Sequence, residues 1–119
     1  MARLLVVDDE KGICSTIEAV LKAAGHQVEV ADSGELALAL MRKSAPDILL
    51  TDLRMDGMSG LDLLGKTREY FPSVTTVIMT AYGTIDTAVS AMRSGAYDYL
   101  VKPFTPDTIK ERIQAALKQ

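Results

Sequence analysis

The chain has 119 residues, 48% of them apolar and 24% charged, with a formal net charge of −3 at neutral pH. That is enough chain for one hydrophobic core, too apolar for a disordered segment, and too acidic to bind nucleic acid directly through its own surface. The lone Cys14 excludes an internal disulfide, and the absence of a signal-peptide pattern or an apolar run of about eighteen residues predicts a cytoplasmic protein with no membrane span.

The first apolar run, Leu4–Val7, reads as a strand and leads straight into Asp8, Asp9 and Glu10. Ile13, Ile17, Val20, Leu21 and Ala24 then keep one helical face, which Gly25 ends, with Cys14 at a core spacing on the same helix. Val28–Ala31 is a second strand, and Ser33, after Asp32, is a helix cap. Leu36, Leu40 and Met41 predict a second helix, closed off by Pro46. Ile48–Leu50 is a third strand that delivers Asp52. Leu61 and Leu64 predict a third helix, in which Gly65 costs up to about 1 kcal/mol relative to alanine. Val74–Met79 is a fourth strand, ending at Thr80, and Ile85, Ala88, Val89 and Met92 mark a fourth helix that stops at Gly95. Tyr97–Val101 is a fifth strand, followed by Lys102. Thr105 as N-cap and Pro106 at the first helical position open a fifth helix with Ile109, Ile113 and Leu117 on its face.

Strand and helix therefore alternate five times. Several of the strands are short aliphatic runs with little alternation, as strands buried on both faces of a parallel sheet are. Right-handed crossovers then place helices on both faces, giving an α/β, doubly wound open sheet. No linker, repeat or low-complexity tract interrupts the pattern, so residues 1–119 are expected to form a single domain.

Open α/β sheets bind ligands outside the carboxyl ends of their strands. Asp8 and Asp9, Asp52, Thr80 and Lys102 are what the first, third, fourth and fifth strands deliver there. Two carboxylates about 5 Å apart repel by about 3 kcal/mol at an effective dielectric near 20. One ammonium group leaves three carboxylates negative, and a divalent cation would neutralise them. An all-oxygen donor set favours Mg²⁺, Mn²⁺ or Ca²⁺ over zinc, and few protein ligands with room for water favours Mg²⁺. His26 stands alone and is expected to face solvent. The glycine-rich loops that cradle nucleotide phosphates are missing from the first strand–helix turn, where this chain puts acids instead. A carboxylate beside a cation, a lysine and a hydroxyl suggests an aspartyl nucleophile that forms an acyl phosphate. Asp52, alone on a central strand, is the better candidate; Asp8 and Asp9 look like ligands.

Taken together, "VVDDE", "TDLRMDGMSG", "MTAYG" and "VKPF", in this order and spacing, resemble the receiver domain of a bacterial two-component response regulator. The resemblance covers essentially the whole chain. The stretch "TAYGTIDTAVSAMRSGAYDYLVKPF" is most similar to the receivers of nitrogen-regulation-type enhancer-binding transcription activators.

The resemblance implies a five-stranded parallel sheet of order 2-1-3-4-5, the flavodoxin-like arrangement. It implies that Asp52 is the phosphoacceptor, taking a phosphoryl group from the phosphohistidine of a sensor histidine kinase. Asp9, Asp52 and the backbone carbonyl of Arg54 would hold Mg²⁺ or Mn²⁺ directly, and Asp8 would act through water. Lys102 would pair with the phosphoryl group, and Thr80 would hydrogen-bond to it. Tyr99 would be the switch aromatic, and the Lys102–Pro103 peptide would be cis. Such a domain promotes its own phosphorylation and dephosphorylation without being a conventional enzyme. Phosphorylation would alter the surface of the fourth helix, fifth strand and fifth helix, roughly Thr84–Gly95, Tyr97–Val101 and Thr105–Lys118, where Ala88, Val89 and Met92 are either surface candidates or plain core residues. It would act on an output domain or downstream protein, or through a phosphorylation-dependent homodimer.

Asp56 is a departure: many members of that family carry proline there. The bland reading is a solvated residue in an Asp-Gly turn; the sharper one is an effect on metal affinity or dephosphorylation. Arg54 and Tyr82 occupy positions that tune phosphoryl lifetime in the family. Three rivals are weaker. A metal-dependent aspartyl phosphatase would carry a second aspartate where Arg54 stands. A flavin or nucleotide binder would need the missing loops. A phosphorylation-independent adaptor would not need all five site residues.

Overall fold

The computed structural model describes residues 2–81 and 83–119. Five strands alternate with five helices: β1 (Arg3–Val7), α1 (Lys11–Ala23), β2 (Gln27–Ala31), α2 (Gly34–Lys43), β3 (Ile48–Asp52), α3 (Gly60–Tyr70), β4 (Thr75–Thr80), α4 (Ile85–Arg93), β5 (Asp98–Val101) and α5 (Pro106–Lys118). The strands form one parallel sheet in the order β2-β1-β3-β4-β5, the predicted arrangement. Strand ends differ from the predicted ones by a residue or two. The largest extension is in β3, which continues through Thr51 to Asp52 and pairs with β4 along its full length.

Side-chain alternation divides the core into two layers. Leu4 and Val6 of β1 pack with Cys14, Ile17 and Leu21 of α1 and with Ile109 and Ile113 of α5. Leu5 and Val7, on the other face, pack with Ala37, Leu38 and Met41 of α2 and Leu63 of α3. All four are buried, and a strand covered on both sides has no use for polar residues until it leaves the sheet. That is why the acids wait until position 8.

Helix starts follow local chemistry. Ser33, Ser59, Thr84 and Thr105 each accept a backbone N–H with the side-chain oxygen, and Thr84 with Thr87 forms a reciprocal capping box. The ends of α1 and α4 are followed by Gly25 and Gly95 with positive φ, the left-handed conformation that favours glycine.

Several predicted helix faces are rotated. In α2, Leu36 is exposed and the buried stripe is Ala37, Leu38 and Met41. Ala24 is the exposed C-cap of α1, while Leu117 of α5 is exposed and Ala116 takes its place in the core. In α3, Leu63 and Leu64 are fully buried and Leu61 is only half-buried. In α4 the exposed reading prevails over core packing. Its apolar stripe turns to solvent: Ile85 is 84% exposed, and Val89 and Met92 are also exposed. The helix rests on Ala91, which packs with Leu53, Leu64 and Ile78. A small residue seats the helix close to the thin edge of the sheet, where β5 is four residues long, and no layer remains to cover the larger side chains. His26, expected in solvent, is half-buried, and its Nδ1 accepts the Ala2 N–H at 3.2 Å. Burial lowers its pKa, since the charged form would lose water.

Candidate functional site

The carboxyl ends of β1, β3, β4 and β5 bring Asp8, Asp9, Asp52, Thr80 and Lys102 to one rim of the sheet. Asp8 is fully buried. Its Oδ1 accepts the Glu10 N–H at 2.9 Å and its Oδ2 accepts Lys102 Nζ at 2.7 Å. The same ammonium lies 3.6 Å from Asp52 Oδ1. Lys102 thus reaches back from the far side of the sheet, with its side chain 11% exposed. Asp9, one residue on, is exposed. Thr80 is fully buried at the end of β4, and its carbonyl accepts the Lys102 N–H at 2.8 Å.

Asp52 is 6% exposed. Burial raises its pKa; Lys102 and the N–H groups of Leu53 and Arg54 oppose that, and the negative charge of Asp8 adds to it. The carboxylate is therefore weakly hydrated and supported by donors on one side. Cys14 is no rival nucleophile. Burial, followed by the charge of Asp8, pushes its thiol up to about 11, and its Sγ–H donates to the Asp8 carbonyl at 3.3 Å.

The donor chemistry fits a hard divalent cation. Asp8, Asp9 and Asp52 each offer a carboxylate oxygen within 4.8 Å of the others. All are oxygens, the cluster has more negative charge than Lys102 neutralises, and the exposed Asp9 leaves one side open to water.

Three contributors were invisible to residue-type reasoning. Gly60 opens α3 directly against the end of β3, and a Cβ there would overlap the Asp52 carbonyl; its N–H donates to the Leu53 carbonyl at 2.9 Å. The backbone N–H groups of Glu10 and Asp56 hold Asp8 and Asp9, the latter at 3.3 Å. The only sequence signal for Gly60 is a Ser-Gly pair at a helix start; backbone donors leave none. The Lys102–Pro103 peptide is cis. Tyr99 is half-buried, with its hydroxyl 2.7 Å from Thr87 Oγ1 of α4. Arg54 is exposed in the loop after β3, and Tyr82 lies outside the described residues. Asp32 has no place in the cluster, and its neighbour Ser33 caps α2 as predicted. Among the described residues, no helix is long and apolar enough to cross a membrane.

Comparison with known proteins places these features. Residues 4–114 match the response regulator receiver domain family. The chain is 40% identical over 114 residues to the transcriptional regulatory protein ZraR of Klebsiella oxytoca, covering 96% of this chain and 26% of that protein. It is 40% identical over 112 residues to the DNA-binding transcriptional regulator NtrC of Salmonella typhimurium, covering 94% and 24%. The crystal structure of the receiver domain of NtrX from Brucella abortus superimposes with a TM-score of 0.93 at 36% identity, covering 98% of each chain. The chain thus spans about a quarter of the length of the curated relatives it matches.

Proposed function

Because this chain belongs to the response regulator receiver domain family of two-component signalling, and its relatives are regulators of the nitrogen-regulation type, we propose that it is one receiver domain that accepts a phosphoryl group on Asp52. The donor would be the phosphohistidine of a sensor kinase. A carboxylate oxygen of Asp52 attacks phosphorus, the P–N bond breaks, and its electron pair returns to the imidazole. The observation that carries this reading is a buried carboxylate on a central strand, 3.6 Å from Lys102 Nζ, inside a cluster of oxygen donors.

Each side chain then has a task. Lys102 places its ammonium where charge gathers on the transferred group, between Asp8 and Asp52. Thr80, adjacent on the rim, supplies a hydroxyl to a phosphoryl oxygen. Asp9, Asp52 and the Arg54 carbonyl would hold Mg²⁺, which supplies charge neutralisation for the approaching phosphoryl group. Mn²⁺ has the same donor preference. Both oxygens of Asp8 are already engaged by Glu10 N–H and Lys102, which supports its acting through water. Arg54 stands where an aspartyl phosphatase would need a general acid, and this disfavours turnover of phosphate esters.

The signal would leave along β4 and β5. Thr80 pairs with Val101 and Ile78 with Tyr99 in the sheet register, and Tyr99 reaches Thr87 of α4. A phosphoryl group that draws Thr80 toward it biases that contact. Ile85, Val89 and Met92, at helical spacing on α4, are exposed, as is Val101 of β5, which supports a surface that engages an output domain, a downstream protein or a second phosphorylated copy. By analogy with the relatives, the output would be transcription, in the cytoplasm, with DNA contacts made outside this domain.

Intact mass after incubation with acetyl phosphate, with and without Mg²⁺, tests the chemistry. A single phosphoryl adduct that requires Mg²⁺ and disappears in Asp52→Asn is expected. A folded protein that gains no adduct, or gains it equally in Asp52→Asn, would overturn the assignment.

A further inference from the structure

Asp9 is the exposed member of the acidic trio, and an exposed aspartate rotates freely unless something holds it. Here the backbone N–H of Asp56, in the loop after β3, donates to Asp9 Oδ2 at 3.3 Å. The bond spans 47 positions in sequence and ties the β3–α3 loop to the end of β1. It occupies one oxygen of the carboxylate and leaves the other for a cation.

The loop is shaped to present that N–H. Gly57 has φ +77°, the left-handed conformation that favours glycine. Proline in place of Asp56, just before it, would remove the donor. The Asp56 carboxylate and the Asp56 N–H are therefore separable contributions. The side chain adds charge to an already negative rim; the amide orients a ligand.

Resting on the reading of this rim as a cation site, we infer that Asp56 is a positioning residue for it. Its backbone N–H pre-sets the Asp9 carboxylate, so that less side-chain freedom is lost when Mg²⁺ binds. The identity of residue 56 then tunes metal affinity by whether the residue has an N–H at all, with side-chain charge as a second and independent contribution.

Calorimetric titration of Mg²⁺ into the full chain separates the two. Asp56→Asn keeps the N–H and removes the charge; Asp56→Pro removes both. Proline is expected to weaken Mg²⁺ binding between about threefold and about tenfold beyond asparagine, the range that one exposed hydrogen bond corresponds to. Equal affinities in the two variants would overturn the inference. Hydrogen exchange provides a reading without proline: the Asp56 amide should exchange several-fold more slowly in the native chain than in Asp9→Ala, and equal rates would likewise overturn it. Wild-type protein that binds no Mg²⁺ while that amide stays protected would instead overturn the cation site, and the positioning role with it.

Discussion

Lys102 is the residue on which the electrostatics of the rim turn. Its ammonium is shared between a fully buried Asp8 and a nearly buried Asp52. A buried carboxylate stripped of its partner is costly, at about 3–5 kcal/mol for an enclosed pair. Lys102 retains slight exposure, so Lys102→Met is expected at the lower end, about 3 kcal/mol, read from urea unfolding in the presence of a chelator. Adding Asp8→Asn to that variant should recover most of the loss, because the amide is neutral and its carbonyl can still accept the Glu10 N–H. A double variant no more stable than Lys102→Met would show that the loss comes from packing of the lysine stem. The pair would then not be what neutralises Asp8.

Among the elements, α4 separates what sequence reveals from what it hides. The acid-bearing strand ends were legible because folding alone gives a buried apolar run no reason to stop on carboxylates, and β1 and β3 are flanked on both sides. The face of α4 was legible only as two open alternatives. Ile85, Val89 and Met92 have the spacing of a core stripe, yet a helix lying at a sheet edge has too little sheet beneath it, and Ala91 makes the contact instead. Gly60 and the N–H of Asp56 were hidden for another reason: close approach and backbone donation depend on where distant segments meet. Replacing Ile85, Val89 and Met92 together with serine should change stability by less than about 1 kcal/mol, as exposed substitutions do, while weakening any phosphorylation-dependent self-association measured by sedimentation. Ala91→Leu should cost about 1–3 kcal/mol by overpacking, seen as a lower unfolding midpoint. If the triple variant unfolds as easily as Ala91→Leu, the outward face of α4 is misassigned.

For the whole molecule, the sheet acts as a charge collector. Neighbouring strands β1 and β3 deposit carboxylates at one end, so folding itself concentrates repulsion that a bound cation would relieve. On the proposed reading of the rim, stability and ligation are linked. Each tenfold rise in Mg²⁺ above its dissociation constant should add about 1.4 kcal/mol to the unfolding free energy. The urea midpoint should climb with MgCl₂ but not with NaCl of equal ionic strength, and Asp9→Asn should lose most of the response. A midpoint that follows ionic strength alone would mean screening rather than a site.

The Lys102–Asp8 contact joins residues 94 positions apart. A ribosome releases Asp8 first and Lys102 only after that stretch has been added. For most of that interval β1 and β3 carry their carboxylates without the ammonium that later sits between them, and any sheet that begins to form does so against its own charge. Ambient cations can supply the missing counter-charge during those seconds. Strand β1 thus waits for the residue that follows β5, and the rim settles only once the fold has been translated through Lys102.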